Sequence, residues 1–147
     1  MERTQKKLRL CVTLLICNIL FIWGNSLLPG EISGAISGFV KDVLAHIIPS
    51  MGGEGGGGHG LLRKAAHFTE FACLGALLTW LLFMLQKPRL MAVAGAFLVA
   101  CADETIQRFV PDRGPAFKDV LIDTSGAITG MVLLLAVYAY MKRKQKF

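Results

Sequence analysis

The chain has 147 residues, of which 54% are hydrophobic and only 18% are charged, and its mean hydropathy is +0.54. So few polar residues cannot cover a soluble globule of this size. The composition therefore excludes a disordered tail, a basic nucleic-acid-binding domain and a disulfide-stapled secreted module. All four cysteines fall within apolar stretches, which predicts buried and reduced thiols: Cys11, Cys17, Cys73 and Cys101.

Four apolar windows approach the roughly 20 residues that a helix needs to cross a bilayer core. They cover residues 8–28, 65–85, 90–110 and 120–141. The sequence thus predicts an all-α integral membrane protein with four transmembrane helices, forming one membrane domain over residues 1–147. The first window is too long for a signal peptide and lacks a small-residue cleavage pattern, which predicts a retained anchor.

The third window contains an unusually short uncharged run. Its uncharged part, residues 90–102, covers about 20 Å at the rise of an α-helix. The window can span only if the polar residues that follow, from Asp103 to Arg108, lie within the bilayer. Charge inside a membrane is costly and needs a partner, so this segment is the first indication of a functional site.

The basic residues predict the orientation. Ten of the sixteen lysines and arginines fall at one set of helix ends beside one acidic residue, and the other six fall at the opposite ends beside nine. Because an excess of lysine and arginine marks the cytoplasmic side, both termini are predicted to lie in the cytoplasm. Residues 29–64 and 111–119 are then the outer loops.

The first outer loop contains two distinct segments. Residues 32–47 carry apolar side chains at three- and four-residue steps, which predicts an amphipathic helix that ends before Pro49. This helix should lie on the outer leaflet or pack over the bundle. Residues 52–60 are glycine-rich and match no phosphate-binding loop, so they are predicted to form a flexible hinge.

Polar side chains on three predicted helices fall at the same depth near the outer surface. They are His67 and Glu70 on the second, Asp103, Glu104 and Gln107 on the third, and Asp119 and Asp123 on the fourth. Their i, i+3 and i, i+4 spacings place members of each group on one helix face. The pattern predicts a single polar site, which intramembrane carboxylates and histidines commonly mark.

Three kinds of chemistry suit this set. A carboxylate beside a histidine can act as general acid or base, and oxygen ligands with one imidazole suit Mg²⁺, Mn²⁺ or Zn²⁺, although the spacing matches no standard metal motif. The guanidinium of Arg113 suits a phosphate or carboxylate. The catalytic candidates are His67, Glu70, Asp103 and Glu104, and the binding candidates are Gln107, Arg113, Asp119 and Asp123.

The alternative is a purely structural role. Carboxylates that pair with nearby basic side chains would hold short helices together, and Asp119 could cap its helix. Close helix packing is enough to explain the spacing of Gly126 and Gly130. This alternative stays open from the sequence.

Two segments carry a resemblance to a known family. RKAAHFTEF at 63–71 and ADETIQRFVPDRGPAFKDVLIDTSGAITG at 102–130 resemble the VanZ-like family, small bacterial membrane proteins named for a member associated with reduced susceptibility to the glycopeptide teicoplanin. The resemblance covers residues 61 to about 141, and many relatives carry Asn where this chain has Asp123. It implies that seven of the candidates lie at family motif positions: His67, Glu70, Asp103, Glu104, Gln107, Arg113 and Asp119.

The residues and the resemblance together predict a function. Glycopeptides act on cell-wall precursors outside the cytoplasmic membrane, and the polar site is predicted to face that side. We therefore expect a membrane protein that engages an anionic, lipid-linked envelope component and lowers glycopeptide susceptibility. The alternative is a non-catalytic helix bundle that acts by binding lipid or a protein partner. A small ion carrier is disfavoured, because the inner half of the predicted bundle has no charged relay.

Overall fold

A computed structural model of the protein describes residues 2–47, 58–114 and 116–144. All regular secondary structure in these ranges is helical, as predicted. The helices are α1 (Glu2–Ser26), α2 (Gly30–Ile47), α3 (Gly58–Met84), α4 (Leu90–Gln107) and α5 (Phe117–Lys144). Four of them, α1, α3, α4 and α5, are long and apolar enough to cross a membrane, which confirms the predicted fold class.

The helix ends differ from the apolar windows by several residues. Helix α3 begins at Gly58, so residues 58–60 of the predicted hinge are helical; the rest of the hinge that lies before Gly58, and the predicted stop at Pro49, lie outside the described residues. Helix α4 ends at Gln107, three residues before the end of its apolar window, and a turn follows. The windows measure apolarity alone, whereas a helix continues as long as its backbone hydrogen bonds can form.

Contacts between helices show how they run. Cys11 contacts the backbone of Leu77, and Asn25 contacts Glu70, so α1 is antiparallel to α3. Ser26 at the end of α1 contacts Asp103 near the end of α4, so these two helices are parallel. Successive membrane-crossing helices thus alternate in direction, and every candidate residue lies at one end of the bundle. The side of the membrane on which this end lies stays a prediction.

Helices α3 and α5 pack with their backbones in direct contact. A Cβ atom added to Gly126 would overlap the carbonyl oxygen of Phe68, and one added to Gly130 would overlap that of Ala72. The two contacts advance together by four residues, so α3 and α5 are parallel. Small residues allow this approach where helices are held by packing within a membrane, and the contact brings the starts of the two helices together at the polar end.

The protein core is small, and much of the apolar surface is exposed to the surroundings. The buried apolar cluster comprises Ile22, Phe71, Leu74, Ala96, Ala100, Val120 and Ala127. The prediction of buried cysteines was wrong for Cys17 and Cys73, which are exposed, whereas Cys11 is buried. An apolar run does not distinguish a side chain that faces the protein core from one that faces lipid.

The amphipathic segment forms helix α2, which packs against α3 at the polar end. Its first residue is held by the turn that follows α4: the Gly30 amide donates a 3.3 Å hydrogen bond to the carbonyl of Pro111. A Cβ on Gly30 would lie 2.5 Å from the carbonyl oxygen of Asp112, so glycine permits this contact. The placement of α2 at the lipid interface stays a prediction.

Candidate functional site

Three helices meet at a buried group of one histidine and two aspartates. The Nδ1 atom of His67 on α3 lies 3.9 Å from an oxygen of Asp103 on α4 and 4.0 Å from an oxygen of Asp123 on α5. The side chain of His67 is 13% exposed, and those of Asp103 and Asp123 are 0% and 2% exposed. One ligand atom from each of the three lies within 4.8 Å of the others.

The carboxylate of Asp103 is oriented by two polar neighbours. Its Oδ2 atom accepts a 2.8 Å hydrogen bond from the hydroxyl of Ser26 and a 2.9 Å bond from the side-chain amide of Gln107. The amide of Gln107 also lies 3.3 Å from the Ser26 hydroxyl. The Oδ1 atom of Asp103 is buried and has no hydrogen-bond partner among the described residues.

Asp123 is buried without the donors that Asp103 has. Neither of its carboxylate oxygens has a hydrogen-bond partner in the described part of the chain. The polar side chain of His67 lies beside it, but the 4.0 Å between His67 Nδ1 and the Asp123 carboxylate is too long for a hydrogen bond. An isolated carboxylate in such surroundings is strongly disfavoured, so its charge requires compensation by a proton or a cation.

On one flank of the buried group, Asn25 connects Glu70 to Arg113. The side-chain amide of Asn25 donates a 2.7 Å hydrogen bond to Glu70, and its backbone carbonyl accepts a 3.0 Å bond from Nη2 of Arg113. The Nε and Nη1 atoms of Arg113 are buried and unpartnered among the described residues. Burial and the nearby Arg63 guanidinium lower the pKa of Arg113, although an arginine stays protonated at neutral pH.

A tight turn positions Arg113. The Arg113 amide donates a 3.3 Å hydrogen bond to the carbonyl of Val110, with Pro111 and Asp112 between them. Asp112 has a φ of 58°, and a proline followed by a residue of positive φ is typical of a type II turn. Aspartate tolerates that conformation better than most residues. The turn reverses the chain after α4 and brings Arg113 back to the end of α1.

On the other flank, two carboxylates connect neighbouring elements. Glu104 accepts a 2.9 Å hydrogen bond from the backbone amide of Ala116, just before α5. Asp119 in the first turn of α5 lies 3.6 Å from the ammonium of Lys64 on α3. Both contacts hold neighbouring elements together, which is what a purely structural role of the carboxylates predicts.

The eight predicted site residues therefore occupy one end of the bundle, in three groups. The central group is His67, Asp103, Gln107 and Asp123; one flank holds Glu70 and Arg113; the other holds Glu104 and Asp119.

Two clefts open on either side of His67, and both are lined by Arg63. The first has a volume of about 100 Å³. Its polar lining is Asn25, Ser33, Arg63, His67, Glu70 and Arg113. The second is narrow, with a volume of about 10 Å³, and is lined mainly by Arg63, Lys64, His67, Glu104, Asp119 and Asp123. His67 and Arg63 are thus accessible from two directions, each with cations and carboxylates close together.

Three residues of the site were missed by the sequence reasoning. Asn25 and Ser26 are adjacent polar residues at the outer end of the first apolar window, at the depth of the other candidates. Arg63 precedes His67 by four residues, so the two share a helix face. Both signals were available, but residues at helix ends are ordinarily polar and do not by themselves indicate a site.

These features define a class of protein: a small multi-pass helical membrane protein with a buried polar cluster at one end of its bundle. The family model described as VanZ/LLP1 matches residues 11–138, and the chain belongs to this VanZ-like family. The match includes α2 and most of α1, from Cys11 onward, which the motif resemblance did not cover. No curated protein and no solved structure is significantly similar to the chain.

Proposed function

We propose that the polar end of the bundle binds the anionic headgroup of a lipid-linked cell-envelope component. The observation that carries this proposal is the state of Arg113. Two of its guanidinium nitrogens are buried and have no hydrogen-bond partner among the described residues, and it lines a cleft of about 100 Å³ together with a second arginine, Arg63. Like charges in one cleft repel, and an anion between them would relieve that repulsion.

A phosphate or carboxylate fits the unpartnered donors of Arg113. The planar guanidinium pairs with two oxygens of one anion at once, through Nη2 together with either Nε or Nη1. Nη2 carries two hydrogens, and one of them already bonds to the carbonyl of Asn25, so the side chain is oriented before the ligand arrives. A fixed side chain loses less conformational entropy on binding than a free one.

The cleft also has apolar walls that suit the first part of a lipid chain. Leu28 after α1 and Ile36 on α2 line it together with the arginines. Ile36, Leu62 and Ala65 also line a neighbouring apolar groove between α2 and α3. A ligand with a charged head and an apolar tail would therefore find both surfaces in adjoining grooves.

The family membership supports the direction of the proposal. If the polar end faces outward, as the basic residues predict, the cleft opens where envelope precursors are exposed. Binding or transforming such a precursor would change its availability to a glycopeptide such as teicoplanin. We propose that the protein lowers glycopeptide susceptibility by this route.

The test is a lipid-binding measurement on the purified full chain in detergent. Native mass spectrometry compares a polyprenyl phosphate with phosphatidylglycerol and with the zwitterionic phosphatidylcholine. We expect the polyprenyl phosphate to bind best, and both Arg113→Ala and Arg113→Lys to weaken it about tenfold or more, because lysine keeps the charge but loses the fork. Arg108→Ala is the matched control, since Arg108 is exposed in the same turn.

Three outcomes would count against the proposal. Equal retention of phosphatidylcholine would show that headgroup charge is not recognised. Equal retention of phosphatidylglycerol would replace the lipid-linked ligand with bulk anionic lipid. Wild-type affinity in Arg113→Lys, with loss of both binding and thermal stability in Arg113→Ala, would assign Arg113 a structural role in neutralising nearby carboxylates.

A further inference from the structure

We propose that His67, Asp103 and Asp123 bind a divalent transition-metal ion. Each residue comes from a different helix, and together they offer one imidazole nitrogen and two carboxylate oxygens within 4.8 Å of one another. Three protein ligands with a further position left open are typical of catalytic zinc sites. The inference does not depend on the proposed lipid ligand.

The spacing of the three ligand atoms suits an ion better than direct hydrogen bonds. The distances of 3.9 Å and 4.0 Å from the histidine nitrogen to the two carboxylates exceed hydrogen-bond length. Two donors that each lie about 2.1 Å from one tetrahedral ion are separated by about 3.4 Å. The histidine and each carboxylate thus need to approach by about half an ångström around an ion, and the two carboxylate oxygens, which lie within 4.8 Å of each other, by up to about 1.4 Å.

Asp123 brings an unpartnered carboxylate to His67. Both of its oxygens are buried and without hydrogen-bond partners among the described residues, whereas the Asp103 oxygen that faces His67, Oδ2, accepts from Ser26 and Gln107. Asp123 and Asp103 are 2% and 0% exposed, so water does not reach them freely. A divalent cation would balance two buried carboxylates with a neutral imidazole, and would supply the partner that the Asp123 oxygens lack.

A second layer of hydrogen bonds orients one of the ligands. Ser26 and Gln107 both donate to Oδ2 of Asp103, at 2.8 Å and 2.9 Å. Residues that hold a metal ligand in this way are a regular part of metal sites, because they fix the direction of the carboxylate. In this role Ser26 and Gln107 are positioning residues for the ion.

The donor set indicates the class of ion. Imidazole suits zinc, iron and related first-row ions, whereas magnesium and calcium prefer oxygen ligands alone. The two carboxylates extend the range to manganese. We therefore expect Zn²⁺ or Mn²⁺, with its open coordination position toward the narrow cleft that His67 and Asp123 line, which has room for about one water molecule.

The experiment measures metal content in the purified full chain in detergent, without added lipid. The protein is stripped with a chelator, equilibrated with Zn²⁺ or Mn²⁺ alone, and assayed for bound metal per chain. We expect about one equivalent in the wild type. Asp103→Asn and His67→Gln should bind the ion at least about tenfold more weakly.

Asp112→Asn is the matched control, because it removes one carboxylate at the same end of the bundle from an exposed residue outside the site. It should bind the ion as the wild type does. Equal weakening in Asp112→Asn and Asp103→Asn would overturn the assignment, since it would indicate a general effect of negative charge.

Cobalt in place of zinc provides a second readout that uses the wild-type chain alone. A four-coordinate Co²⁺ site with an imidazole ligand absorbs visible light far more strongly than hydrated Co²⁺. Intense bands at one equivalent would support the site, and failure of the wild type to retain Zn²⁺, Mn²⁺ or Co²⁺ would refute it. The lipid measurement is made on chelator-stripped protein, so either proposal can fail while the other stands.

Discussion

The hydroxyl of Ser26 donates a 2.8 Å hydrogen bond to the carboxylate of Asp103, although the two residues are 77 positions apart in the chain. Ser26 ends α1, and Asp103 lies one turn before the end of α4. Both residues are 0% exposed. The bond therefore ties the first membrane-crossing helix to the buried carboxylate at the centre of the polar site.

This bond makes Ser26→Ala a test of how the site is held together. Removing the hydroxyl leaves a buried carboxylate with one donor fewer, which should destabilise the fold by about 1 to 3 kcal/mol. The measurement is the thermal unfolding midpoint in detergent. Ser125→Ala is the control, because the exposed Ser125 hydroxyl bonds only to the carbonyl of Ile122 in its own helix; an equal loss in both variants would contradict the expectation.

The contact between α3 and α5 predicts a steric effect at Gly130. In Gly130→Ala the new methyl group would overlap the backbone of Ala72, so the helices must separate. We expect a loss of about 1 to 3 kcal/mol, measured as a lowered resistance to unfolding in detergent. In contrast, Gly24→Ala meets no atom within 4 Å and should leave stability unchanged or raise it by up to about 1 kcal/mol. Similar effects at both positions would argue against close α3–α5 packing.

Neutral substitutions in the site separate function from folding. Asp103→Asn keeps the shape and an acceptor for Ser26 and Gln107, but it removes the negative charge. We expect loss of function with normal insertion, because removing a charge from a membrane-spanning segment does not hinder its insertion. Glu104→Gln should behave in the same way. The readout is complementation of a deletion strain in a teicoplanin-susceptibility or envelope-stress assay.

Asp112→Asn is the control for these neutral variants, since Asp112 is an exposed carboxylate in the turn after α4. It should complement fully. Full complementation by both Asp103→Asn and Glu104→Gln would remove the basis for a functional site. Reduced thermal stability in proportion to lost activity would instead favour a structural role for the carboxylates.

The predicted orientation is open to direct labelling. A single cysteine at Gly114 should react with a membrane-impermeant maleimide on intact cells, whereas one at Lys144 should react only after permeabilisation. Gly114 suits the purpose because it is exposed and no atom lies within 4 Å of an added Cβ. The background replaces the four native cysteines. The opposite pattern would place the polar site in the cytoplasm.

The sequence by itself determined the class of the protein, because apolar length is a local property. A run of about 20 apolar residues predicts a membrane-crossing helix whatever it packs against, and all four predicted spans form helices. The shared depth of His67, Asp103 and Asp123 followed from helix geometry alone, since each lies near the same end of its window. The two motif segments also indicated the VanZ-like family, and the match over residues 11–138 confirms it.

The tertiary structure decided which polar residues meet, because depth along a helix does not specify its neighbours or its rotation. Glu104 lay beside Asp103 in the predicted site, yet it turns toward the backbone of Ala116, while Asp103 faces His67. Ser26 joined the centre only because α1 packs beside α4. The rotation of α1 about its axis likewise buries Cys11 and exposes Cys17, although both lie in the same apolar part of the helix. Lipid and protein core favour the same side chains, so only packing distinguishes the two positions.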